Sequence, residues 1–122
     1  MADEIRVDLS IQVTNGNANF KYPSGSSSVT FNQAAQGGPT PGYVTIGTSE
    51  ESTTFGELGS LGWVVLHNLD ATNYVEWGFS TTVYGGRLEA NEKAVFRLNP
   101  GTTLYYKANT AACKAFIGAF ED

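Results

Sequence analysis

Ile5, Val7, Leu9, Ile11 and Val13 alternate with Arg6, Asp8, Ser10 and Gln12, the period of two that gives a β-strand one apolar and one polar face. The pattern predicts one long first strand from Ile5 to Val13. Asn15-Gly16 ends it with a strong tight-turn signal. Beyond the turn, Phe20, Tyr22, Val29 and Phe31 predict a partner strand interrupted by Pro23-Ser24-Gly25-Ser26-Ser27-Ser28. From Asn32 to Gly42 the run NQAAQGGPTPG has no period, which predicts a loop or an arm rather than a core element. Tyr43, Val44 and Ile46 then resume as a short strand.

Between Leu61 and Phe79 two apolar runs flank Asn68-Leu69-Asp70-Ala71-Thr72-Asn73, and the turn formers between them predict a β-hairpin with a short loop. In the first run Trp63 and Val65 share one face while Val64 and Leu66 share the other, so this strand is expected to be central in its sheet. In the second, Val75, Trp77 and Phe79 share a face. A further turn follows at Val83-Tyr84-Gly85-Gly86. Ala94, Phe96 and Leu98 alternate with their neighbours as far as Asn99-Pro100-Gly101, whose Pro-Gly suits the middle of a type II turn and predicts another hairpin with Leu104, Tyr106 and Ala108. Ala112 to Phe120 forms a last strand. About eight short strands, regularly spaced turns and no helical period predict an all-β fold. The expectation is an antiparallel β-sandwich of jelly-roll type, in one domain over 1–122, with 1–42 as an arm plus loop and 43–122 as the main sandwich.

Composition narrows what such a domain does. Charged residues make up 16% of the 122, so surface polarity comes from Ser, Thr, Asn and Gly. The net charge of −5 has the wrong sign for a phosphate backbone, which excludes nucleic acid as an expected direct partner. Cys113 stands alone, so no intrachain disulfide and no cysteine cluster for a metal is expected. The first ten residues lack the basic start and apolar core of a signal peptide. No run approaches the ~20 apolar residues of a membrane helix, so synthesis in the cytoplasm without a membrane partner is expected.

Candidate chemistry is sparse. His67 is the sole histidine, at a strand end on the Trp63 and Val65 face, and reads as structural; Cys113 among alanines reads as a small packing residue. Glu76, Glu89 and Glu92 are close enough in sequence to approach in space, but no spacing marks them as a catalytic pair. No calcium loop, zinc spacing or phosphate loop is present, and Gly56 to Gly62 lacks the following Lys-Ser or Lys-Thr. The expectation is no enzyme, no cofactor and no metal. Aromatics are the unusual resource, with two Trp, six Tyr and seven Phe; Tyr43, Tyr84 and Tyr105 are the ones expected to be exposed.

The run from Gly62 to Asp122 resembles a family of small structural proteins of tailed bacteriophages. Their pattern is an apolar strand, N-x-D-x-T-N-Y-V, a strand, a turn, L-x-x-G-E, a strand, P-G-T-T-x-Y-x-K-A and a final strand. The matching residues are Asn68, Asp70, Thr72, Asn73, Tyr74 and Val75, then Leu88, Glu92, Phe96 and Arg97, then Pro100 to Thr103, Tyr105, Lys107 and Ala108. Asn91 stands where the pattern favours Gly and tolerates the same left-handed conformation. The resemblance implies a virion component with no catalytic residues, most simply a capsid decoration or cement protein that binds the major capsid protein. A tail, baseplate or fibre component and a carbohydrate-binding β-sandwich module stay open. A homo-oligomer is expected, with Ile5, Val7, Leu9, Ile11 and Val13 of the first strand and Tyr43, Tyr84 and Tyr105 as assembly-interface candidates.

Overall fold

The computed structural model describes residues 4–25, 28–33 and 37–122; residues 1–3, 26–27 and 34–36, which include parts of the Pro23 to Ser28 interruption and the Asn32 to Gly42 run, lie outside the described residues. Among the described residues every regular element is a strand and every pairing is antiparallel. The chain divides into two compact units, Met1–Ala34 and Ala35–Asp122.

The first unit is a ribbon of two nested pairs: β1 (Ile5–Asp8) with β4 (Ser28–Phe31), and β2 (Ile11–Asn15) with β3 (Ala18–Tyr22). Gly16, at φ 59, takes the first position of the two-residue loop between Asn15 and Ala18, where a primed hairpin turn needs a positive φ. The single long strand expected from Ile5 to Val13 is broken at Leu9-Ser10, because the returning chain there runs through Pro23, which has no amide to donate to a ladder. The expected burial of one face also fails for β2, whose residues are exposed throughout, while Ile5 and Val7 are half-buried. A ribbon of two strands has no second layer of its own to cover either face.

The second unit holds β5 (Thr40–Ile46), β6 (Glu51–Thr53), β7 (Leu61–Asn68), β8 (Val75–Gly78), β9 (Gly86–Leu88), β10 (Lys93–Arg97), β11 (Leu104–Ala108) and β12 (Cys113–Glu121). They form two four-stranded sheets, in the orders β10-β7-β12-β5 and β6-β11-β8-β9. As its two apolar faces require, β7 lies between two neighbours. Thr40 to Gly42, expected in a loop, belong to β5 and pair with Gly118 and its neighbours; Pro41 is tolerated because β5 is an edge strand.

Neither expected hairpin of the second half forms as such. β7 and β8 lie in different sheets, and so do β10 and β11. Pro100-Gly101 still makes a tight turn, with Gly101 at φ 85 and the Thr102 amide donating to the Asn99 carbonyl at 3.2 Å. The strand after it crosses to the other sheet instead of folding back. β8 and β9 do pair directly, around the turn expected at Val83 to Gly86.

Inward rows of both sheets meet in one core. Ile46, Val64, Leu66, Ile117 and Ala119 come from the first sheet, and Val75, Leu88, Leu104, Tyr106 and Ala108 from the second. Trp77 of β8 stacks on Phe96 of β10 with ring centroids 5.1 Å apart. Each fully excluded aliphatic chain, such as Leu104 or Val64, contributes about 1.5–3 kcal/mol by leaving water.

Candidate functional site

The residues of the N-x-D-x-T-N run build a turn. Asn68 ends β7 wholly buried, and its amide nitrogen donates to the carbonyls of Asn73 at 2.8 Å, Leu88 at 3.1 Å and Glu89 at 3.2 Å. Its Oδ1 accepts from the Asp70 amide at 3.0 Å. The Asp70 carboxylate in turn accepts from the amides of Asn73 and Thr72, at 2.6 and 2.9 Å, and those donors hold its pKa below the ordinary value. Asn109 receives the Tyr74 amide at 2.9 Å. Asn68 thus ties the β7–β8 connector to the end of β9, a role that turn propensity alone did not reveal.

The second half of the run is equally structural. Asn91 sits at φ 63, as the Gly-like position requires, inside a turn closed by the Glu89 amide on Glu92 Oε1 at 2.7 Å and the Glu92 amide on the Glu89 carbonyl at 3.1 Å. Glu89 pairs with Arg87 at 3.1 Å, and register places Glu76 between Lys107 and Arg87. Glu89 is therefore engaged with a cation and Glu92 with an amide, while Glu76 has a cation on either side in register.

His67 points away from the core, half-buried, with Nε2 3.0 Å from Asn91 Oδ1. Cys113 lies on the opposite, inward side of its sheet, fully buried, and burial pushes its thiol pKa up. The two cannot act together as nucleophile and base. The cavity between the sheets measures about 20 Å³, room for a single water, and is lined by Leu66, Trp77, Leu104, Tyr106 and Ile117 among others. Among the described residues no group of three or more His, Cys, Asp and Glu could hold a metal, and no helix is long and apolar enough to cross a membrane.

What remains are surfaces. On the outer side of the first sheet, register aligns Lys93, His67, Phe116 and Tyr43 in one cross-strand row, and Val95, Val65, Gly118 and Pro41 in the next. Neither row carries a carboxylate. Tyr43 is 79% exposed and packs on Phe116 with centroids 4.9 Å apart, beside an open hollow of about 320 Å³ bordered by Thr45, Leu69 and Lys114. In a chain of net charge −5 this face is locally basic and aromatic.

The second sheet's outer side is a ladder of alternating charge, Lys107, Glu76 and Arg87, framed by tyrosines. The Arg87 guanidinium lies 3.6 Å from the Tyr74 ring centroid, and the Lys107 ammonium 5.3 Å from that of Tyr84. Tyr84 donates to Glu50, which also receives Thr81 Oγ1 at 2.5 Å and the Thr82 amide at 2.6 Å, so the turn after β5 is clipped to the β8–β9 loop. Tyr105 lies on the same outer side, opposite Gly78.

The three tyrosine candidates are therefore not one site. Tyr43 belongs to the outside of one sheet, and Tyr84 and Tyr105 to the outside of the other; Ile5, Val7, Leu9, Ile11 and Val13 belong to the ribbon. Sequence reasoning missed Phe116 and Lys114 as partners of Tyr43, although both alternate with the alanines and Ile117 of β12. Comparison of the chain with models of protein families, with curated proteins and with solved structures finds no match in any of the three.

Proposed function

We propose that this chain is a non-enzymatic structural protein of a tailed-phage particle, a capsid decoration or cement protein that binds the major capsid protein of the assembled shell. It is made in the host cytoplasm and resides in the virion. Its main unit is a jelly-roll sandwich. Numbered from β5 as the first of eight strands, the sheets run 1-8-3-6 and 2-7-4-5, the doubled Greek-key order of that fold, which viral capsid domains share with lectins and cupins.

The observation that carries the reading is where the resembling residues go. Asn68, Asp70, Asn73, Glu92, Pro100 and Gly101 all serve turns and sheet crossings, and Asn91 takes the left-handed conformation where the pattern favours Gly, as expected of a family held together by architecture rather than chemistry. Filled space between the sheets, in place of a ligand cavity, supports the same conclusion. The carbohydrate-binding alternative needs Tyr43, Tyr84 and Tyr105 on one platform, and the two sheets divide them.

A cement protein that binds only the assembled shell stabilises assembly by mass action. Purified chain added to assembled shells stripped of it is expected to co-sediment at a saturating ratio and to raise their dissociation temperature. Absence of co-sedimentation with shells, or equal binding to free capsid protein, would refute the cement role.

A further inference from the structure

We infer that the N-terminal ribbon is a self-association element, whose apolar face packs against the same face on a second copy of this chain. Cross-strand register puts Ile11 opposite Tyr22 and Val13 opposite Phe20, so four apolar side chains share one side of the β2–β3 pair. They are 44–68% exposed; elsewhere in the same unit Leu9 and Val29 are 49% and 53% exposed. The other side of the pair carries Gln12, Thr14, Asn19 and Lys21.

Two-stranded ribbons are marginal in water without a covering layer, so a ribbon with this face calls for an occupant. Three observations point to another copy. The apolar side bears no charged group, and depletion of charge marks permanent homo-oligomer contacts rather than encounters steered by an unlike partner. Its size suits a small contact: at roughly half of the ~150–250 Å² an aromatic side chain buries, and somewhat less for aliphatic ones, the four chains add about 300 Å² per copy. That lies below the ~800 Å² each partner contributes to a standard interface and is the scale of a small contact. Finally, the main unit is guarded against pairing through its sheet edges. Edge strand β5 contains Pro41, edge strand β10 begins with Lys93 and ends with Arg97, and β6 and β9 are three residues long. One face serving both partners gives an isologous contact, two ribbons stacked at the ~10 Å spacing of packed sheets.

The inference concerns the isolated chain and stands apart from the particle reading. Light scattering after size exclusion is expected to give at least twice the 13.0 kDa of one chain. The double variant Ile11→Glu with Phe20→Glu is expected to fall to a single chain, with the near-ultraviolet signal of Trp63 and Trp77 unchanged. Thr14→Glu, on the polar side, is expected to keep the wild-type mass. A wild-type mass of one chain, persistence of the assembly in the double variant, or dissociation by Thr14→Glu would each overturn the proposal.

Discussion

Asn68 is the residue on which most of the main unit's loop order depends. Removing its side chain takes away the donor shared by the carbonyls of Asn73, Leu88 and Glu89, of which Glu89 keeps the Glu92 amide, and opens space at the sheet end. Asn68→Ala is expected to destabilise the main unit by about 3 kcal/mol, the upper end of what leaving buried groups unpaired costs. A urea titration checks this through a lower midpoint at unchanged slope. Glu50 makes a second residue-scale prediction. Hydrogen bonds from Thr81, then Tyr84 and the Thr82 amide, hold its pKa below the ordinary 4.5. A depressed folded-state pKa gives stability that is present above 4.5 and lost as pH falls below it. Glu50→Gln is therefore expected to flatten the fall in urea midpoint between pH 5 and pH 3, through Asp70 will retain part of it. On the other side of the clip, the bond to Glu50 pushes Tyr84 up to about 12. Its neutral form is favoured, so that contribution is complete below pH 10 and fades as pH rises through 12. Tyrosinate absorbance is expected to lose part of its latest-titrating component in Tyr84→Phe.

At the scale of elements, alternation located the strands and said little about their partners. β7 was legible as central because both of its faces are apolar, and β12, Pro100-Gly101 and Asn91 were legible from period and turn chemistry. The connector from Asn68 to Asn73 was misread as a hairpin loop, because a turn-rich hexapeptide looks the same whether the chain folds back or crosses to a facing sheet. What decides between them is the burial of Asn68 against Leu88 and Glu89, contacts about twenty residues away that no local pattern encodes. Phe116 and Lys114 escaped notice for a similar reason: β5–β12 register sets Phe116 opposite Tyr43 and Lys114 opposite Thr45, beside the same hollow. Close packing within the second sheet gives an element-scale prediction. A Cβ on Gly78 would run into the backbone of Val83, where the β8–β9 turn bridges Ser80 and Val83. Gly78→Ala is expected to cost about 1–3 kcal/mol by overpacking, again read as a urea midpoint. Gly85→Ala, in open space, serves as the control.

For the whole molecule, the two units divide the work. Ala35–Asp122 carries the buried core, and Met1–Ala34 carries an apolar face that its own two strands leave exposed. The fold class was readable from the chain, whereas the division at residue 34 was not, since Pro41 and Gly42 look like linker yet belong to β5, an edge strand. The residues of the resembling motifs build turns, and it is on them that the proposed structural role rests. An electron-microscopy map of the tailed-phage particle proposed to carry this chain tests that role most directly. Density for two facing four-stranded sheets is expected on the outer surface of the head, bound to the major capsid protein; finding the chain in the tail, or nowhere in the particle, would contradict it.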